Sequence, residues 1–402
     1  MGAGMNETPS GERLHIGFFG MRNAGKSSVV NAVTGQDLAV VSDVKGTTTD
    51  PVRKAMELLP LGPVVIIDTP GLDDEGTLGA LRVEKAKGIL AEADVAVLVV
   101  DAALGLSRED RDLLELLDER KIPHLTVMNK RDLLDRIPES ADGVLYVSAK
   151  DGGGIRELKE ALAGISKPGG EERHVIADLL EPGDTVVLVI PIDAAAPKGR
   201  LILPQQQTIR DILEAGCAAV CCRDTELAGT LASLARPPKM VVTDSQAFGR
   251  VSKIVPQDVA LTSFSILFAR YKGDLAELVK GAAALSALRD GDVVLVSEGC
   301  SHHRQCGDIG TEKIPAWVRS YTGVNPDFRF TSGGEFPETP DARLVIHCGG
   351  CMLNEREMKS RIGRAVSAGV PIVNYGVAIA HMHGILKRSL EPFPEVLRLL
   401  EN

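Results

Sequence analysis

An α/β architecture, with an N-terminal P-loop GTPase domain followed by two further α/β domains, is predicted from three features of the 402-residue sequence. Short β-rich apolar runs alternate with amphipathic helical patterns along the chain. A glycine-rich loop ending in Lys-Ser joins the first apolar run to the first helix. Two Cys/His clusters, each just beyond an apolar run, mark the C-terminal part.

Alternation of this kind reads as doubly wound, mostly parallel sheets. In the first unit, strands are expected at 14–19, 64–67, 95–100 and 124–128. Helices are expected at 27–33, 108–118 and 155–163. The polar stretch Ser166-Lys167-Pro168-Gly169-Gly170-Glu171-Glu172-Arg173 reads as a linker and closes a first domain at 1–167. A second domain, 174–270, carries strand patterns at 185–190, 218–222 and 240–242, helical ones at 206–215 and 226–234, and no phosphate loop. A third, 271–402, opens with a helix through 288, followed by strands at 293–297, 343–346 and 371–374.

Composition limits the function. A chain that is 44% hydrophobic and 25% charged folds, and 402 residues exceed one ordinary core. A net charge of −10 argues against unspecific binding to nucleic acid or membrane surfaces. The N-terminus has no apolar core for a signal peptide, and Asn6 spoils a myristoylation signal at Gly2. No apolar run reaches the length of a membrane span, so a cytoplasmic chain is expected. Seven cysteines, an odd number, favour thiols and metal ligands over a disulfide framework.

The loop Gly20-Met21-Arg22-Asn23-Ala24-Gly25-Lys26-Ser27-Ser28 follows a strand and opens a helix. In that context backbone N–H groups and the helix N-terminus can cradle phosphates. Lys26 is expected on the β/γ-phosphates and Ser27 on Mg²⁺. Asp68-Thr69-Pro70-Gly71 follows the strand at 64–67. Asp68 suits a carboxylate behind the metal, and the Gly71 N–H can face the γ-phosphate. Asn129-Lys130-Arg131-Asp132 follows another strand. The Asp132 carboxylate can accept from guanine N1–H and its amino group, and adenine would leave it unpaired. Ser148-Ala149-Lys150 offers a backbone N–H to guanine O6. Within Gly46-Thr47-Thr48-Thr49-Asp50, Thr48 is the expected second Mg²⁺ ligand, with Thr47 as the fallback. GTP and GDP are the expected ligands.

The second chemistry lies in Cys300-Ser301-His302 and His347-Cys348-Gly349-Gly350-Cys351. A Cys-x-x-Cys turn brings two thiolates to one metal, as in Fe–S clusters and structural zinc. Three cysteines and one histidine would close a tetrahedral zinc site. Three cysteines alone would hold a [4Fe–4S] cluster with one iron left to an exchangeable ligand, and spacing does not choose between the two. Cys217, Cys221 and Cys222 surround an apolar strand and read as core residues. Cys306, His303, His381 and His383 are secondary candidates, the last two on either a strand or a helix.

Residues 14–165 resemble the TrmE/Era-type branch of GTPases. Members of that branch use an asparagine at the Asn23 position to help hold potassium. Leu72 stands where Ras-like switches carry the glutamine that orients water, so the resemblance implies slow, potassium-stimulated hydrolysis in which Asn23, Lys26 and Thr48 are the catalytic residues.

The order of GTPase unit, middle α/β unit, Cys-x-His and distal His-Cys-x-x-Cys resembles the HydF family of [FeFe]-hydrogenase maturation GTPases across the whole chain. That resemblance implies a [4Fe–4S] cluster on Cys300, Cys348 and Cys351, with His302 or His347 among the candidates for the fourth position. It implies a scaffold or carrier for a transient di-iron subcluster precursor. The implied partners are the apo-hydrogenase, two radical-SAM maturases and a second copy of the chain through 174–270, without nucleic acid or membrane. Nucleotide state is expected to act through residues 37–50 on partner affinity. The competing reading is a zinc-stabilised GTPase of ribosome or RNA metabolism. Its acidic balance, 3% aromatic content and missing basic stripe weigh against it. A nickel- or zinc-inserting GTPase would carry a His-rich tract, which the sequence lacks.

Overall fold

The computed structural model describes residues 10–36, 52–69, 88–139, 142–165, 173–192, 201–299, 308–350 and 352–400. The chain divides into two compact units, Met1–Glu171 and Glu172–Asn402. The first contains a six-stranded sheet in the order β2-β3-β1-β4-β5-β6. Its strands are β1 (Leu14–Phe19), β2 (Val52–Leu58), β3 (Gly62–Asp68), β4 (Val95–Asp101), β5 (His124–Asn129) and β6 (Val144–Tyr146). All neighbours run parallel except β2 against β3.

Alternate residues of the central strands enter cores on opposite faces, as period-two side-chain geometry requires. Ile16, Phe18, Val97 and Val99 pack on one face; Phe19, Leu98 and Val100 pack on the other. Burial on both faces explains the near-continuous apolar runs that made these strands legible. β2, a mostly exposed edge strand of sequence VRKAMEL, lacks such a run and gave no signal. Helix Arg108–Glu119 begins at a capping box: the Asp110 N–H donates to Ser107 Oγ at 3.0 Å, and the Ser107 N–H donates back to Asp110.

The second unit has two parallel four-stranded sheets. The first, in the order β10-β9-β7-β8, comprises β7 (Thr185–Val189), β8 (Ala218–Cys222), β9 (Met240–Thr243) and β10 (Ala260–Ser263). The other, in the order β12-β11-β13-β14, comprises β11 (Val293–Glu298), β12 (Asp327–Ser332), β13 (Leu344–His347) and β14 (Ile372–Asn374). One core joins them, with Val186, Leu188 and Val242 in the same cluster as Val294, Val296 and Ile346. Residues 270 and 271, where the sequence pattern sets the second division, lie inside helix Phe264–Lys272. The single helix expected through 288 is interrupted. Asp274 caps a new helix, Leu275–Ala282, by accepting from the Glu277 N–H at 3.1 Å, and a 3₁₀ turn, Ala283–Ala287, follows. Among the cysteines read as core, Cys217 is buried, whereas Cys221 is exposed and Cys222 intermediate on edge strand β8. An edge strand has no neighbour to cover it.

After the linker the chain is re-anchored by Asp211 on helix Leu203–Glu214. Its carboxylate accepts from the N–H groups of Ile176 at 2.7 Å and Ala177 at 2.8 Å. Among the described residues no helix is long and apolar enough to cross a membrane. Asp211→Ala leaves two N–H groups without their charged acceptor. It is expected to lower the stability of the second unit by about 1.5–3 kcal/mol, read from the denaturant midpoint.

Candidate functional site

The phosphate loop lies between the end of β1 and helix Lys26–Thr34. Asn23 and Gly25 both take positive φ, 63° and 84°, and Gly25 is the N-cap. A Cβ on Gly25 would lie 2.3 Å from Asn129 Nδ2, so no other residue fits without moving the loop. The reason is visible at Asn129. Its Nδ2 donates to the Ala24 carbonyl at 2.9 Å, and its Oδ1 accepts from the Ala149 N–H at 3.1 Å. One buried side chain therefore ties the phosphate loop to the Ser148-Ala149-Lys150 loop, both beyond the carboxyl ends of parallel strands. Open α/β sheets bind ligands at such ends.

Lys26 Nζ is 3.6 Å from Asp68 Oδ1, and Ser27 Oγ donates to Asp68 Oδ2 at 3.1 Å. Burial raises the Asp68 pKa, against the opposing pull of Lys26. Asp68 Oδ1 is buried without a hydrogen bond. A buried carboxylate with one oxygen outside any hydrogen bond, beside a lysine and a serine hydroxyl, fits a Mg²⁺ site built on Ser27. When bound, Mg²⁺ neutralises charge on the β- and γ-phosphates. Lys130 Nζ donates to Asp101 Oδ2 at 2.6 Å, which fixes the lysine at positive φ (64°) beside the loop. Asp132 is exposed. Sequence reasoning missed Asp101, although its place at the end of β4 was a usable signal. Ser28 is half-buried on the first turn and Ser148 fully buried. Thr47, Thr48, Gly71, Leu72 and residues 37–50 lie outside the described residues.

The thiol region lies past the ends of β11 and β13. Their register sets Ser297 opposite His347, and the Cys348 N–H donates to the Ser297 carbonyl at 2.9 Å. Cys348 Sγ accepts from the N–H of Gly299 at 3.0 Å and of Gly350 at 3.4 Å. These donors immediately precede Cys300 and Cys351 in the sequence. Gly350 has φ 64°, and a Cβ there would meet Met358 Sδ at 2.6 Å, so this turn also requires glycine. A sulfur that accepts two backbone N–H groups is suited to a thiolate, and hence to a metal-bound one. Cys300, His302, His303, Cys306 and Cys351 lie outside the described residues. Among the described residues no three His, Cys, Asp or Glu side chains meet as a metal site.

His347 is fully buried, and both its ring nitrogens are engaged. Nδ1 lies 2.7 Å from the Cys348 carbonyl and Nε2 lies 3.1 Å from Arg361 Nη1. Burial, reinforced by the Arg361 charge, pushes its pKa down to about 3. In this arrangement neither nitrogen is presented as a ligand. The Tyr375 hydroxyl donates to Glu298 Oε1 at 3.3 Å, and burial, then the Glu298 charge, raises its pKa. His381 and His383 lie at the end of helix Tyr375–Met382, with His381 Nε2 3.2 Å from both Ser286 Oγ and Tyr321 Oη.

Comparison with known families adds to this geometry. Residues 175–273 match the hydrogen maturase F dimerization domain, and residues 276–392 match its tetramerization domain, together more than half of the chain. The chain belongs to the hydrogen maturase F (HydF) family. The N-terminal unit of this HydF chain is a GTPase domain, with residues 15–130 matching the 50S ribosome-binding GTPase family. Among curated relatives, the tRNA modification GTPase MnmE of Nitrosomonas europaea is 37% identical over 156 residues, 38% of this chain and 34% of that protein. GTPase Der of Kosmotoga olearia is 32% identical over 170 residues, 38% of each chain. The chain thus spans little more than a third of the length of these relatives. Among solved structures, Aquifex aeolicus Era bound to GDP·AlF₄⁻ shows 21% identity and a TM-score of 0.35, covering 52% of this chain and 94% of Era.

Asn129→Ala removes both bonds that join the phosphate loop to the Ser148–Lys150 loop. Affinity for a fluorescent GDP analogue is expected to fall about 10–100-fold, the equivalent of roughly 1–3 kcal/mol.

Proposed function

We propose that this chain is a GTP-hydrolysing scaffold or carrier that binds a [4Fe–4S] cluster and assembles or delivers the di-iron subcluster of [FeFe]-hydrogenase. The observation that carries the iron–sulfur part is the pair of N–H groups, from Gly299 and Gly350, converging on Cys348 Sγ. It supports a centre held by Cys300, Cys348 and Cys351. A cluster bound there supplies iron with an exchangeable position to which cargo can attach. A closed zinc site through His347 would first require one of that buried ring's two bonds to break, which favours the iron reading. The apo-hydrogenase and two radical-SAM maturases are the proposed partners, and self-association through 174–270 the proposed assembly, in the cytoplasm. The domain division 1–167, 174–270 and 271–402 gives each task its own sheet.

In the nucleotide unit, Lys26 holds the β/γ-phosphates, Ser27 and Thr48 hold Mg²⁺, and Gly71 donates to the γ-phosphate. Asp132 reads the guanine edge and the Ala149 N–H reaches O6. Gly20, Ala24, Gly25 and Ser28 shape the phosphate cradle, while Asn129, Lys130, Ser148 and Lys150 hold the base end. Asn23 stands on the loop in a conformation that exposes its side chain, suited to a potassium ion beside the phosphates. Leu72 cannot orient water, so hydrolysis is slow without that ion. Nucleotide state acts on partner affinity through residues 37–50 rather than on the inorganic chemistry.

Anaerobic reconstitution with iron and sulfide should give brown protein whose charge-transfer absorption is diminished in Cys300→Ala, Cys348→Ala and Cys351→Ala. Colourless wild-type protein containing only zinc would overturn the reading. GTP turnover should be about tenfold or more faster in potassium than in sodium, the scale of a contact that stabilises transition-state charge. The difference should vanish in Asn23→Ala.

A further inference from the structure

Among the described residues the largest fully buried side chain is that of Arg361, on helix Glu355–Ser367. Burying a guanidinium is costly unless its charge and donors are matched. Here Nη2 donates to the Gly333 carbonyl at 2.6 Å and to the Glu357 carboxylate one turn earlier. Nη1 donates to His347 Nε2, and the guanidinium lies 5.5 Å from the centre of the Phe336 ring. Nε is buried with no hydrogen-bond partner.

We propose that Arg361 is a positioning residue of the thiol site, acting through His347 to fix the Cys348 turn. The inference rests on the reading that Cys348 is an iron ligand and deepens it. Arginine keeps all its protons and can only donate, so His347 Nε2 must accept. The single proton of the neutral ring is then on Nδ1, which donates to the Cys348 carbonyl at 2.7 Å. That bond holds the peptide after Cys348 in the orientation in which the Gly350 N–H turns back to Cys348 Sγ. The circuit is short. Asn354 caps the Arg361 helix by accepting from the Glu357 N–H at 3.0 Å, three residues beyond Cys351. The helix thus returns to the strand end it has just left. His347 is consumed in this circuit, which leaves the remaining coordination position of the cluster to a different group.

The test uses full-length chain, reconstituted anaerobically with ferrous iron and sulfide. It reads the chelator concentration that removes half the iron, and the electron paramagnetic resonance (EPR) spectrum of the reduced cluster. Arg361→Met with Glu357→Gln removes the buried charge pair together, so that no lone carboxylate is stranded. This variant should release iron to chelator about 10–100-fold more readily, as loss of an outer-shell partner does, and shift the spectrum. His347→Asn places an amide N–H where Nδ1–H stands, although it leaves Arg361 Nη1 without its acceptor, and should lie closer to wild type than His347→Gln in both readings. His347→Gln places its amide at the distal nitrogen position and should behave like the arginine variant. An Arg361→Met/Glu357→Gln protein with wild-type retention and spectrum would overturn the proposal. So would a His347→Asn protein whose spectrum changes as much as that of His347→Gln, the sign of a lost imidazole ligand. A wild-type chain that takes up no more iron than Cys348→Ala would overturn the cluster reading itself and the positioning role with it.

Discussion

The parallel register of β11 against β13 is the constraint on which the C-terminal half depends. With Ser297 opposite His347, the two chains leave the sheet at the same level, and the Gly299 N–H reaches Cys348 Sγ. The two segments are separated by about fifty residues in sequence. A slip of one residue would turn every side chain of the strand to the opposite face. The register is held by burial: Val294, Val296, Leu344 and Ile346 are all at most 1% exposed, in the core shared with the other sheet. Core packing therefore sets where the thiols lie. The same core carries the middle sheet, so the site inherits the rigidity of the whole second unit.

The nucleotide unit follows a comparable rule with a different fastener. Its sheet delivers loops to one edge, and a single amide, Asn129, locks two of them together. Asp68 has one oxygen on Ser27 and the other beside Lys26 but without a hydrogen bond in a buried setting, which leaves it able to take a bound cation. The two units thus place their candidate sites alike, beyond the carboxyl ends of parallel strands.

Much of this was legible from residues alone, for physical reasons. Strands buried on both faces announce themselves as apolar runs, so β1, β4, β5 and β7 begin where expected. The edge strands β2 and β12 do not: they read as VRKAMEL and DFRFTS, because solvent meets much of their surface. Motifs whose chemistry is local, such as the phosphate loop and Asn129-Lys130-Arg131-Asp132, could be placed because each needs only a strand end beside it. Arg361 could not. Its role comes from Gly333, Phe336 and His347 meeting around it, and only the Glu357–Arg361 spacing on one helix hinted at a pair. The placement of His347 was likewise hidden. A histidine beside a cysteine resembles a ligand in sequence, yet here its neighbours are a guanidinium and a carbonyl.

The account stands on the claim that Cys348 and the two cysteines following Gly299 and Gly350 hold iron rather than zinc. X-ray absorption at the iron edge of anaerobically reconstituted full-length protein tests it most directly. The account predicts a sulfur-dominated shell with a short iron–iron scattering path, abolished in Cys348→Ala. A zinc-edge signal with a closed sulfur and nitrogen shell, and no iron–iron path, would contradict it.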